Sequence, residues 1–402
     1  MSEASAYVDE IRPSAISKLA PVAALFAVVG FALFAIGLRT DAETAWRSFH
    51  VNYLYFGALA QGGVVLACIF TIVGAKWPGP VRRFAESLGA WTIVTPVLAL
   101  ADWFLGRTHI YPWLPVFEAK PHWLNEPRLL AWDLGALVLL AVLSQLFLAA
   151  SRVTATPGAS DAEKDAARNR LKNLAPMVIL AYAFGYSFLC FDQIMSLTPT
   201  WYSNLFGAYF AWGGLLSAVT STTVLAVLHR NHPGLEGEIT KERLHDLGKL
   251  IFAFSIFWMY LFFSQYLVIW YGNLPEETQF FKARLGSEFL MDTWYWEGWW
   301  ERINEPWVKV SLSAWICIWV IPFWFLLGQK PKKTWWFVGT IACVSLVGFW
   351  IERNVLIWPS LTTDDHAFLG VTQIGTALGF LGAFALVNML YRSRFLAVPV
   401  KH

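Results

Sequence analysis

Near the end of a run otherwise suited to hydrocarbon, the string LCFDQIMSLTPTWYSNLF (Leu189 to Phe206) carries a carboxylate, Asp192. Other ionisable residues sit in the same way at the ends of long apolar runs: His50, Asp102, Arg107, His109, Asp133, Lys309, Glu352 and Arg353. A carboxylate and a histidine bracketing an apolar slot can exchange protons with a bound hydroxyl, because burial brings a carboxyl into the working range of a general base. His50 or His109 with Asp102 or Asp192 is the pairing with suitable residue types. Together they are expected to border a cavity, with Arg107 or Arg353 stabilising one carboxylate. Gln61, Gln145, Lys249 and Gln265, with Asp133 and Glu352, are candidates for a proton path. The alternative for each charge is an interhelical ion pair that merely holds the structure.

The elements that must position these residues are membrane spans. Of 402 residues, 57% are apolar and 14% charged, and runs of about 20 apolar residues, enough to cross about 30 Å of hydrocarbon, recur along the chain. Ten spans are predicted, beginning near residues 18, 50, 85, 129, 174, 201, 247, 306, 334 and 366 and ending near 38, 74, 105, 150, 196, 228, 271, 328, 357 and 391. The expected fold is an all-α integral membrane protein with an N-terminal tail over 1–17, a ten-helix domain over 18–391 and a C-terminal tail over 392–402. Leu19 to Leu38 is longer than the apolar region of a signal peptide and has no evident cleavage box, so the first run is expected to be retained. Lys and Arg number 19 on the two tails and the loops after even-numbered spans, against 8 on the loops after odd-numbered ones. Positive residues gather inside, which predicts both termini cytoplasmic.

Between spans five and six only SLTPTW intervenes, and Thr198 before Pro199 suits the start of a new helix. Ser160 to Glu163 has capping-box spacing and opens a charged cytoplasmic helix leading into span five. The long external loop over 273–305 holds a candidate amphipathic segment, PEETQFFKARL, and the string WYWEGWW from Trp294 to Trp300. Such aromatics suit the headgroup level, or a docking surface for an external subunit.

This orientation places most intramembrane charges in the outer half. His245, Asp246, Lys249 and Gln145 are inner, with Gln61 and Gln265 between. An ionised group facing lipid costs about 2.5 to 3.5 kcal/mol on insertion scales, so these residues should face the bundle interior or the water interface. No histidine falls at mid-depth (His50, His109, His122 and His366 are outer; His229, His232, His245 and His402 inner), which argues against an intrinsic b-type haem. Cys68, Cys190, Cys317 and Cys343 lie in apolar runs with no C-x-x-C pair, so neither a disulfide framework nor a cysteine-ligated iron-sulfur cluster is expected. No phosphate loop, dinucleotide fingerprint, nucleophile elbow or zinc motif is present. A net charge of +2 gives no reason to expect nucleic acid as a partner.

Three strings carry a likeness to a known family: FHVNYLYFGALAQGGVV (Phe49 to Val65), FDQIMSLTPTWYSNLFG (Phe191 to Gly207) and DLGKLIFAFSIFWMYLFFSQYLVIWYGNLPEET (Asp246 to Thr278). They resemble the second large membrane subunit of alternative complex III, a bacterial quinol:cytochrome c oxidoreductase, within the NrfD/polysulfide-reductase-like membrane anchors. The likeness covers most of spans two to seven. It implies a protein of the bacterial inner membrane whose central eight helices form two four-helix bundles, beside a sister NrfD-like subunit, an iron-sulfur subunit and multihaem cytochrome c subunits. Haem c and Fe-S clusters would then belong to those partners, and this chain would hold no cofactor of its own beyond a quinone such as menaquinone, with His50, Asp102 and Asp192 as candidate contacts. It also implies proton conduction through polar residues inside the bundles. A purely structural anchor for such a complex is the main alternative. A secondary transporter is the third, but it calls for paired broken helices with polar groups at the midplane, and most charges here lie toward one face.

Overall fold

A computed structural model of the protein describes residues 15–156, 158–232, 235, 237–286, 303–362 and 369–395. Residues 1–14, the string Trp294 to Trp300, His366 and residues 396–402 lie outside the described ones. Among the described residues ten helices are long and apolar enough to cross a membrane. They are α1 (Ala15–Thr40), α2 (Ala42–Ile72), α3 (Val81–Ile110), α4 (Glu126–Ala155), α5 (Asp161–Gln193), α6 (Phe206–His229), α7 (Lys241–Gly272), α8 (Pro306–Phe325), α9 (Trp335–Ile357) and α10 (Val371–Phe395). The chain is an all-α, multi-pass membrane protein. With an even number of spans, both ends of the helical domain lie at one face, here termed the terminal face; loops after odd-numbered helices lie at the distal face.

Several helices start away from their predicted positions, each for a local reason. The second helix begins at Ala42 because Asp41 caps it, accepting from the Thr44 N–H at 3.0 Å, and Glu43 pairs with Arg47 at 3.0 Å one turn later. Hydrogen bonding, not the edge of the apolar run, sets that boundary. The Ser160–Glu163 capping box is formed, but the charged helix it opens is continuous with α5 through to Gln193. By contrast α6 begins only at Phe206: the Thr198 hydroxyl donates to Ser360 Oγ at 2.9 Å instead of capping a helix, and Trp201 stacks on Phe280 at 3.8 Å. These contacts hold the connection against the distal end of the second half. The predicted amphipathic segment is a helix, Pro275–Leu285, which buries Phe280, Phe281 and Arg284 over that same end.

Helices α2 to α5 pack as one four-helix bundle and α6 to α9 as another; the two meet where α2, α3 and α5 lie against α6 and where α2 lies against α9. Facing both bundles, α2 is buried over almost its whole length. Close approach there depends on small residues, since a methyl group built on Gly62 would run into the Gly214 carbonyl. The first and last helices pair with each other and rest on α2. Their seam is equally tight, because a methyl on Gly30 would strike the Gly379 backbone and one on Gly382 the Ala23 carbonyl.

Gly382→Leu should therefore force α1 and α10 apart and destabilise the detergent-solubilised protein by roughly 1–3 kcal/mol. Gly135→Ala, where the added methyl meets nothing within 4 Å, should change stability by less than about 1 kcal/mol; thermal unfolding of the two variants measures the difference. The Thr44 hydrogen bonds hold the Asp41 carboxyl below its ordinary value of 3.8. The cap is thus intact above that value and is lost as pH falls through the lower folded one. In an acid titration followed by helix content, Asp41→Ala should remove that component.

Candidate functional site

Asp102 opens a five-residue π-helical segment, Asp102–Gly106, that interrupts α3. The wider turn re-aims side chains, and such segments recur at functional positions. Asp102 Oδ2 lies 2.8 Å from His50 Nδ1 on α2, and His50 Nε2 lies 2.9 Å from the main-chain oxygen of Gln193 at the end of α5. A carbonyl can only accept, so Nε2 carries a proton. The Nδ1 contact then requires one further proton, held by the imidazolium or by the acid. The pair stores a proton in either form.

The network continues through the side chain of Gln193, which donates to Asp133 Oδ2 on α4 at 2.8 Å and accepts from the Tyr53 hydroxyl at 2.8 Å. Asp192 Oδ1 accepts from Arg128 Nη1 at 2.6 Å, and the Arg128 guanidinium lies 3.9 Å from the Trp123 ring centroid. His50, Asp102, Asp133 and Asp192 are all at most 3% exposed. One oxygen of each carboxyl, Asp102 Oδ1, Asp133 Oδ1 and Asp192 Oδ2, is buried with no hydrogen-bond donor. Arg128 offsets one of three carboxylates. Among the described residues Arg128 and His50 are the cationic or cation-forming side chains that meet these three carboxyls. Just beyond α3, Tyr111 stands edge-on to His50 with ring centroids 5.9 Å apart. Burial, and then the adjacent Asp102 carboxyl, hold its phenol protonated well above the ordinary range.

The expected distribution of partners and space is corrected in three respects. Asp192 takes its cation from Arg128; Arg107 lies 3.7 Å from Glu126 at the rim, and Arg353 pairs with its neighbour Glu352 and packs over Phe210. His109 stays outside the network, half-buried, with its main-chain oxygen accepting from Arg47 Nε at 3.2 Å. And the cavity touching Asp133 and Gln193 has a volume of only about 10 Å³, the space of about one water molecule. Arg128 and Gln193 escaped notice because one sits in the first turn of α4, where it counts as loop charge, and the other is neutral. The adjacency of Gln193 to Asp192 was the available signal.

Room for a ring lies in the second bundle. A cavity of about 200 Å³ between α6, α7, α8, α9 and the Pro275–Leu285 helix is walled by Tyr209, Trp258 and Phe280 and touched by Glu352, Gln265 and Arg284. Arg284 is 3% exposed and donates to the carbonyls of Phe280, Val355 and Leu356 and to Ser360 Oγ, at 2.7 to 2.9 Å. Burial pushes its pKa well down, and these acceptors offset part of that cost.

The proposed path residues do not form one file. In the first bundle, Gln61 exchanges hydrogen bonds with Ser144 (2.9 and 3.3 Å), and Gln145 donates to Thr92 and the Gly89 carbonyl (3.0 and 3.1 Å). Toward the terminal face, Glu86, not among the expected path residues, is buried against Arg82, Arg83 and Ser151. Lys249 and Gln265 belong to the second bundle, where Lys249 pairs with Asp246 at 2.6 Å and Gln265 accepts from Ser203 at 3.2 Å. From Tyr53 to Gln61 is about 12 Å along α2, and from Asp133 to Ser144 about 16 Å along α4. Within that interval the Tyr186 and Tyr182 hydroxyls donate to the main-chain oxygens of Gly57 and Ala211. Among the described residues no group of three or more His, Cys, Asp or Glu side chains is arranged to hold a metal ion.

No protein-family model matches this chain, and no curated protein does.

Removing Arg128 alone should strand the buried Asp192 charge. Arg128→Leu is expected to cost about 3–5 kcal/mol, and Arg128→Leu with Asp192→Leu markedly less. Chemical denaturation of both variants in detergent gives the comparison; equal losses would mean that the pair is not coupled.

Proposed function

We propose that this chain is a membrane subunit of a quinol:cytochrome c oxidoreductase of the alternative complex III type, in a bacterial inner membrane with both termini cytoplasmic. Its own contribution is proton handling at the distal, exterior face. The observation that carries this proposal is the buried network of His50, Asp102, Gln193, Asp133 and Asp192, which joins α2, α3, α4 and α5 and sets three carboxyls beside one imidazole and one guanidinium. Oxidising a quinol releases protons as well as electrons, and such a network can pass them on, giving up one proton toward the surface as it takes up another. Electrons leave through iron-sulfur and multihaem cytochrome c partners beside a sister membrane subunit. The likeness of Phe191 to Gly207 and Asp246 to Thr278 to that family supports the assignment.

The cavity described beside the network holds about one water molecule. A cavity of about 150 Å³ accepts benzene, so the aromatic-walled space of about 200 Å³ beside Glu352 fits a substituted ring. In that space Tyr209 and Gln265 are neutral partners for ring oxygens and Glu352 is the adjacent carboxyl. A second reading, that the chain is a structural anchor, is favoured by the tight packing of the network: His50 with Asp102, Gln193 with Asp133 and Arg128 with Asp192 are already paired within the chain.

Asp102→Asn in the intact complex separates the two. Proton relay through the network predicts slower quinol oxidation and proton release with assembly unchanged. Full turnover and proton release in an assembled Asp102→Asn complex would leave the anchor reading. Glu352→Gln, tested alongside, should raise the quinol KM if the ring sits in the second bundle.

A further inference from the structure

At the terminal face, far from the distal network, a trough of about 340 Å³ runs between α1, α6 and α10. Its walls include Leu19, Val22, Phe26, Leu228 and Leu381, all exposed on the lipid-facing surface. At its end stands Arg392, only 6% exposed. One guanidinium nitrogen donates to His229 Nε2 at 2.7 Å, while His229 Nδ1 donates to the Leu225 carbonyl at 2.8 Å. His229 is therefore the neutral Nδ1–H tautomer and supplies no charge. Arg392 Nε is buried without an acceptor. Glu86, a buried carboxylate of the adjoining α3, is already held by Arg82, Arg83 and Ser151. A full positive charge thus faces a hydrophobic trough with no anion paired to it among the described residues.

In a bilayer such a trough is filled by acyl chains, and the cation at its end selects the headgroup. Basic pockets between helices at the cytoplasmic face are suited to anionic headgroups, and a phosphate oxygen satisfies a guanidinium with charge-assisted hydrogen bonds. We infer that the α1/α6/α10 trough is a binding site for an anionic phospholipid, with the phosphate on Arg392 and an acyl chain along α1 and α10. The lipid fastens the α1–α10 pair, which rests on α2, to the terminal end of α6.

Native mass spectrometry of the protein released from nanodiscs containing equal phosphatidylglycerol and phosphatidylcholine tests this. The wild type should retain phosphatidylglycerol over phosphatidylcholine, whose choline cation offsets the phosphate charge, by about tenfold. Arg392→Gln should bring the two to parity, Arg392→Lys should restore part of the preference, and Val22→Trp, which fills the trough and leaves the cation, should lower retention of both lipids. Inorganic phosphate at millimolar concentration should not displace the lipid. Equal retention by the wild type, or an unchanged preference in monodisperse Arg392→Gln, overturns the site. Displacement by phosphate alone assigns the cation to a free anion. A preference that appears only after deletion of residues 1–14 means that the chain's own N-terminal segment fills the trough.

Discussion

An ionisable side chain in hydrocarbon must be paired, hydrogen-bonded or neutral, and the architecture of the first bundle is organised around that requirement. Three carboxyls enter it from three helices, Asp102 from α3, Asp133 from α4 and Asp192 from α5. None could be buried there without His50, Gln193 and Arg128 arriving from other directions. Gln193 is the junction: its main-chain oxygen fixes His50, its amide nitrogen reaches Asp133 and its amide oxygen receives Tyr53. His50 and Tyr53 stand three residues apart on α2, hence on one helical face, so a single side of α2 supplies two of the three contacts to Gln193. Removing any one partner leaves a buried polar group uncompensated, which is why such networks fix helix register as well as chemistry.

On the proposed function, the two bundles divide the requirements of proton-coupled chemistry between them. The first has groups that hold protons but space for about one water molecule; the second has a ring-sized, aromatic-walled cavity and a single carboxyl, Glu352, beside its own arginine. They are not independent. The Trp350 indole in α9 donates to Asn52 Oδ1 in α2 at 3.0 Å, and the Tyr55 hydroxyl donates to the Leu346 carbonyl at 3.0 Å. Helix α2 therefore presents His50 and Tyr53 to one bundle and Asn52 and Tyr55 to the other. A displacement in the second bundle has a packed route to the distal network.

The sequence made the membrane class and the ten spans plain, because an apolar run of about 20 residues has few other uses and the runs are punctuated by charge. It also located the carboxylates and His50. The pairing of residues did not follow from it. Depth can be assigned from position along a span, but which helix faces which depends on close contacts such as Gly62 with Gly214 and Gly30 with Gly379, and a glycine in an apolar run does not announce its neighbour. Hence Arg107 and Arg353 are the expected partners of one carboxylate, whereas in the folded chain Arg128 pairs with Asp192. Helix ends were misplaced where capping or tertiary contact overrode hydropathy, as Asp41 does for α2 and as Thr198 and Trp201 do for α6.

Polar groups in the first bundle occur at three depths: Glu86 with Ser151, then Gln145 and Gln61 with their partners, then the distal network. The upper interval, about 12 to 16 Å, is the longest step, and its tyrosine hydroxyls are committed to main-chain oxygens. A proton in the distal network consequently meets a short exit and a long, apolar return. Arg128 is 15% exposed as a side chain and Arg107 31%, so the network is separated from the distal surface by about one layer of side chains. On the proposed function, protons taken up there would be released on the same face. On the proposed function that asymmetry suffices for energy conservation: if the reducing equivalents derive from the opposite side of the membrane, one-sided release builds a gradient without a continuous proton wire through this chain.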